Sequence, residues 1–143
     1  MSGAGVGMLC VLDGTVNTAK YIDILESHLL PSVQDLHPDG DYIFQQDGAT
    51  CHTLKPAKAW FQQKNIQVLP WVANSSDLSP IENIWMRMKK TVADKLPKTK
   101  EELVLTLKDI WRAITPQECN QLVDLMPDRI NMVLQNQGGV TKY

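Results

Sequence analysis

A hydroxyl residue followed three positions later by glutamate occurs three times in the second half of the chain: Ser79 with Glu82, Thr99 with Glu102, and Thr115 with Glu118. This is the spacing of a capping box, in which the N-cap hydroxyl accepts from the N3 backbone N–H and the N3 carboxylate accepts from the N-cap N–H. Pro80 and Pro116 occupy the next position, where a missing N–H is not needed and the fixed φ suits a first helical turn. After each start the apolar residues return every three or four positions: Ile81, Ile84, Trp85, Met88 and Val92; Leu103, Leu107, Ile110 and Trp111; Cys119, Leu122, Val123 and Met126. A last short helix carrying Ile130, Val133 and Leu134 follows Pro127 and stops at Gly138-Gly139. The second half is therefore expected to be all helical.

The first half reads differently. Gly5–Leu12 has the pattern of a strand ended by an Asp13-Gly14 turn. From Asn17 to His37 the spacing of Ile22, Leu25, Leu29, Val33 and Leu36 predicts a helix, interrupted near Leu30 because Pro31 lacks a donor and crowds the preceding turn. Beyond the polar turn 37–41, Tyr42–Gln46 is a β-branched and aromatic strand that ends at Asp47. Residues 48–52 read as a loop, Leu54–Lys64 as a helix bearing Trp60 and Phe61, Ile66–Leu69 as a strand, and Val72–Asp77 as a loop. Strand, helix, strand over residues 42–69 is the unit from which parallel sheets are built, so the expected class is α/β.

Composition narrows the function classes. With 43% hydrophobic and 21% charged residues the 143-residue chain is an ordinary globular protein of one expected domain. A net charge of −2 gives no whole-molecule attraction to nucleic acid. Six of the 14 basic residues nevertheless fall between Arg87 and Lys100, which suits either a phosphate-tracking surface or a solvated helix face. Three cysteines without CxxC spacing argue against a zinc ribbon or a disulfide framework. No apolar run approaches the roughly 20 residues of a membrane helix, and no secretory signal precedes the first strand, so no membrane partner and an intracellular setting are expected.

The candidate chemistry lies in two carboxylates. Asp47 ends a strand, Glu82 opens a helix, and thirty-four residues separate them. The intervening strand, helix, strand unit would return the chain to one edge of the sheet, where ligand crevices form. Converging carboxylates there bind Mg²⁺ or Mn²⁺ and support phosphoryl transfer. Each residue also has a plainer role, Glu82 in its capping box and Asp47 in a turn. His52 is a loop histidine, suited to orienting a phosphate or to a structural bond. Cys51 and His52 do not make a nucleophile and base, because adjacent side chains point apart.

The wording around the carboxylates adds to this. Ile43-Phe44-Gln45-Gln46-Asp47 with His52-Thr53, and Asp77-Leu78-Ser79-Pro80-Ile81-Glu82-Asn83-Ile84-Trp85, resemble the second and third catalytic blocks of mariner-type cut-and-paste DNA transposases. Gly5-Val6-Gly7, Asp13-Gly14-Thr15-Val16 and the stretch from Gly138 to Tyr143 resemble that family too, and the interval between Asp47 and Glu82 matches its spacing. The resemblance implies a ribonuclease-H-like mixed sheet with helices on both faces, a nuclear setting, DNA as partner, and Mg²⁺- or Mn²⁺-dependent cleavage and strand transfer by three carboxylates. Asp47 is then the second and Glu82 the third, both as metal ligands, with His52, Arg87, Lys89 and Lys90 as nucleic-acid contacts.

The first carboxylate has no counterpart, since Asp13 and Asp23 match a turn and a helix of the family pattern. The first two strands and the N-terminal DNA-binding region have none either. Residues 1–143 are thus expected to be part of a catalytic domain that is inactive alone and associates with itself through exposed strand edges. The alternative is a non-enzymatic transposon-derived remnant that binds DNA or protein. Pro70 and Val72 beside Trp71, Gly48, Ser76 and Ser79 depart from the family pattern without touching Asp47 or Glu82.

Overall fold

The structure is a computed structural model, and it describes residues 1–72 and 75–139. The chain divides into two units, Gly7–Asn74 and Met1–Val6 with Ser75–Tyr143.

In the first of these, Asn17 caps helix α1 (Thr18–Ile24) by accepting from the Lys20 backbone N–H at 2.9 Å. A π-helical turn, Leu25–Leu29, joins it to α2 (Leu30–Leu36). The widening has a local cause. Pro31 offers no N–H, and its ring would collide with the carbonyl four residues back in a regular α-helix. The Leu30 N–H instead reaches the Leu25 carbonyl, five residues back, so the helix is widened before the proline instead of broken at it. Residues expected as a loop form a short helix, α3 (Thr50–Thr53), followed by α4 (Lys55–Gln63).

Tyr21, Leu25, Ala57, Trp60, Phe61 and Ile66 make the buried cluster of this unit, with Phe44 and Val68 packed against it. Burial of each large side chain contributes about 1.5–3 kcal/mol. Glu26 of the π turn ties α4 to this core, accepting from Trp60 Nε1 at 2.8 Å and pairing with Lys64 at 2.8 Å.

The expected ribonuclease-H-like mixed sheet is not present among the described residues. The only bridges there are an antiparallel one between Ser2 and Gly5 and a parallel one between Phe44 and Val68. The second is made by Phe44 N–H to the Gln67 carbonyl and Leu69 N–H to the Phe44 carbonyl, both 2.8 Å. The two segments therefore meet in the parallel sense, but a strand pair with no third strand beside it is marginal and does not extend into a ladder. Residues 7–12 form no strand at all, and the Met8 N–H is taken by the Ser32 hydroxyl at 2.8 Å.

The other unit is helical: a 3₁₀ turn (Ser76–Leu78), then α5 (Ile81–Lys95), α6 (Lys100–Arg112), α7 (Pro116–Asp124) and α8 (Met126–Gln135). Its interior holds Ile84, Met88, Ile110, Trp111, Ile114 and Cys119, with Trp85 stacked on Trp111 at 5.6 Å.

The three predicted caps have different outcomes. Thr115 and Glu118 form the complete box. Thr99 accepts from the Glu102 N–H at 3.1 Å, while the Glu102 carboxylate accepts from Lys98 N–H at 2.7 Å. At Ser79 no box forms: Pro80 stands at the N-cap without a side-chain bond, and the Glu82 N–H bonds the Ser79 backbone carbonyl at 3.1 Å. Ser79 is instead the residue that closes the 3₁₀ turn, its N–H donating to the Ser76 carbonyl at 2.9 Å. Ile130 and Leu134, expected on the buried face of the last helix, are 46% and 70% exposed, and the buried residue of α8 is Arg129. Among the described residues no helix is long and apolar enough to cross a membrane. The loop 72–77 includes Ala73 and Asn74, and the stretch from Gly138 includes residues 140–143, which lie outside the described residues.

Candidate active site

Asp47 follows directly on the segment that carries the Phe44 bridge, and the turn after it bends back into α3. One carboxylate oxygen, Oδ1, accepts from the Ala49 N–H at 3.0 Å and lies 2.6 Å from His52 Nδ1. A carboxylate only accepts, so this contact places the histidine proton on Nδ1. The Ala49 N–H first, and His52 after it, hold the Asp47 carboxyl below its ordinary range. Its side chain is 71% exposed, and Oδ2 takes no hydrogen bond from the described residues. Asp47 is thus ionised, oriented through one oxygen and open at the other.

His52 is held from behind. Its ring lies 4.2 Å from that of Tyr21, and its carbonyl accepts from Gln46 Nε2 at 3.3 Å. The Tyr21 hydroxyl donates to Gln46 Oε1. Burial, and then the neighbouring Cys51 and Asp47, raise the Tyr21 phenol above its ordinary value, so it stays a neutral donor. The loop reading of residues 48–52 hid this arrangement, which depends on α3 bringing a residue five positions on back over Asp47.

Glu82 stands in the first turn of α5, exposed, with no side-chain hydrogen bond to the described residues. The failure of the Ser79 box is what leaves its carboxylate available. Along α5 the exposed residues Glu82, Met86, Lys89 and Ala93 recur at i, i+4, i+7 and i+11, which is one stripe of a helix. Lys90 flanks that stripe and is exposed as well. Lys89 lies roughly 10 Å from Glu82 along the axis at 1.5 Å per residue. Arg87 points elsewhere: its guanidinium pairs with the Glu118 carboxylate of α7, and with Thr91 and Lys95 it lines a groove between α5 and α6.

Asp47 and Glu82 fall in different units. Among the described residues no three His, Cys, Asp or Glu side chains gather as a ready metal cluster. Each carboxylate by itself is a donor type that suits a hard cation such as Mg²⁺ or Mn²⁺, which binds through one or two carboxylates and keeps several waters.

Comparison with known proteins decides the family. The model of the DDE superfamily endonucleases matches residues 1–104. This chain belongs to the DDE superfamily endonucleases. Among its relatives, the transposable element Tcb2 transposase of Caenorhabditis briggsae is 31% identical over 142 residues, 99% of this chain and 52% of that protein. The transposable element Tc1 transposase of Caenorhabditis elegans is 27% identical over 143 residues, with the same coverage. The chain therefore spans about half the length of these relatives and is homologous to transposases of the Tc1/mariner type.

Two solved structures share its course. The Mos1 transposase catalytic domain with raltegravir and Mg superposes with a TM-score of 0.88 at 24% identity, covering 98% of this chain and 73% of that one. The Mos1 mariner paired-end complex with Mn gives 0.88 at 24%, covering 98% and 43%. What is shared is the path of the backbone. Of the sheet expected from the family, the described residues form only the parallel Phe44–Val68 bridge.

Proposed function

We propose that residues 1–143 form part of a transposase catalytic domain that acts on DNA, with Asp47 and Glu82 as two of its metal-binding carboxylates. The observation that carries this is the state of the two side chains: in a member of the DDE family, both acids at the family spacing are exposed and keep oxygens free of hydrogen bonds from the described residues. The Mos1 structures containing Mg or Mn, and those with a transposon end, support a divalent cation and DNA as the ligands of this chain too.

A bound Mg²⁺ or Mn²⁺ supplies Lewis-acid stabilisation of a phosphodiester and a more acidic water. The chain's own residues do the rest of what is proposed here. Ala49 N–H and His52 keep Asp47 ionised and aimed. Lys89 and Lys90, on the Glu82 side of α5, take the phosphates of the strand being cut. Arg87 and His52 are engaged with Glu118 and Asp47 and act through those partners. With two of the family's three carboxylates matched, the chain alone is expected to bind metal weakly and without turning over substrate. A nuclear setting is proposed with it, on the family resemblance.

Titration calorimetry with Mn²⁺ tests this. Weak binding by the chain, abolished by Asp47→Ala and lowered by Glu82→Gln, is the expected result. Heats insensitive to Asp47→Ala overturn the metal site. DNA binding that persists without any metal dependence points to a non-enzymatic remnant instead.

A further inference from the structure

We infer that Arg129 is the positioning residue of Glu82. Its side chain is 1% exposed, among the most buried large side chains of the chain, in a helix whose apolar neighbours Ile130 and Leu134 face solvent. Burying a guanidinium is unfavourable unless its donors are used, and an apolar residue of the same size would pack as well or better. Two of the Arg129 donors reach the segment that leads into α5. Nη1 donates to the Asp77 carbonyl at 3.0 Å and Nη2 to Asn83 Oδ1 at 2.7 Å.

Asp77 and Asn83 bracket the segment that delivers Glu82. Between them the 3₁₀ turn ends, Pro80 contributes no N–H, and α5 begins without a side-chain cap. The start of α5 is held by backbone bonds from Glu82 N–H to Ser79 and from Asn83 N–H to Pro80, at 3.1 and 3.2 Å. A planar guanidinium presents its N–H groups in a fixed fork, so satisfying both acceptors fixes the separation of residues 77 and 83. Arg129 thereby sets from outside the helix what a capping box would have set from inside. It does so without occupying the Glu82 carboxylate, which a capping box would consume. The residue lies in α8, well beyond the 1–104 stretch matched by the family model.

This inference rests on Glu82 serving as a metal ligand, and two readouts on the 143-residue chain separate the claims. Amide hydrogen exchange by NMR reads the clamp without metal. In Arg129→Lys, and independently in Asn83→Ala should the first variant fold poorly, exchange at Glu82 and Asn83 is expected to accelerate at least tenfold relative to α6 amides. Unchanged exchange at 82 and 83, or equal acceleration through every helix, overturns the proposal. Mn²⁺ affinity reads the consequence: Arg129→Lys weakens binding several-fold, and the loss disappears when Glu82→Gln is already present. An additional loss on top of Glu82→Gln would show that Arg129 acts through something other than Glu82. If the unmodified chain binds no Mn²⁺, the proposed function fails, while the exchange experiment still decides the clamp.

Discussion

At the scale of single residues, the two carboxylates are prepared in different ways. Asp47 is conditioned by its own turn, through the Ala49 N–H and a histidine whose ring rests on Tyr21. Removing such a supporting donor from a metal ligand commonly costs 10- to 100-fold in affinity. His52→Ala is therefore expected to weaken Mn²⁺ binding by about tenfold in calorimetry, and His52→Asn, which keeps a donor near the Nδ1 position, to lose less. Equal loss in both variants would place the effect in the ring packing and not in the hydrogen bond.

Glu118 offers a second residue-level test. The Thr115 N–H first, and then Arg87, lower its carboxyl from the ordinary 4.5. A depressed folded value means that the stabilisation is fully present above 4.5 and disappears as pH falls through the folded value. Melting temperatures taken from pH 7 down to pH 3 should fall more steeply for the native chain than for Glu118→Gln. At pH 7 Glu118→Gln should melt lower, and Thr115→Ala should cost about 1 kcal/mol through the lost cap.

At the scale of elements, α5 divides its labour by face. Ile84 and Met88 are buried, Arg87 is tied to α7, and Lys89 with Lys90 stays in solvent beside the Glu82 stripe. Each phosphate neutralised contributes roughly 0.9 to the slope of log affinity against log salt for duplex DNA. Lys89→Glu with Lys90→Glu should thus flatten that slope by about 2 in fluorescence anisotropy titrations, on the assumption of one phosphate each. Charge reversal at Lys108, on α6, should leave it nearly unchanged.

The elements also show what a sequence can and cannot disclose. Helix starts at Thr99 and Thr115 were legible because a cap is an interaction among four consecutive residues. The third start was legible in position but not in mechanism, because Ser79 ends a 3₁₀ turn and Pro80 takes the N-cap in its place. The sheet was not legible, since the alternating residues of Tyr42–Gln46 show a propensity for strand but not whether enough neighbouring strands are present to make it stable. Asp47 and Glu82 stood out by their surroundings in the sequence. Arg129 did not, because apolar periodicity passes over a charged residue, although it lies at helical spacing between Met126 and Val133.

At the scale of the whole molecule, apolar surface that a sheet would cover is open. Met8, Val11, Leu12 and Ile43 are 41–53% exposed, and Phe44, next to Ile43 in the chain, bridges to Val68 alone among the described residues. Contiguous apolar surface and unpaired strand edges favour association. Sedimentation velocity is expected to show a coefficient that rises with protein concentration, and Ile43→Lys is expected to reduce that rise. A monomer at every concentration, unfolding in urea as one cooperative transition, would show that the helices alone suffice.

The π turn at Leu25–Leu29 acts as a phase shifter. It lengthens the chain by a residue without adding a full turn, so everything after Leu30 is rotated by about 100° from the position an unbroken α-helix would give it. Tyr21 and Leu25, before the shift, face the core of α4, while Ser32, after it, faces the backbone of Met8. Tyr21 in turn supports His52 and through it Asp47. A chain shortened by one residue in this turn would have to surrender either the Ser32 bond to Met8 or the Tyr21 support of His52, so a single proline links the length of this helix to the aim of a carboxylate.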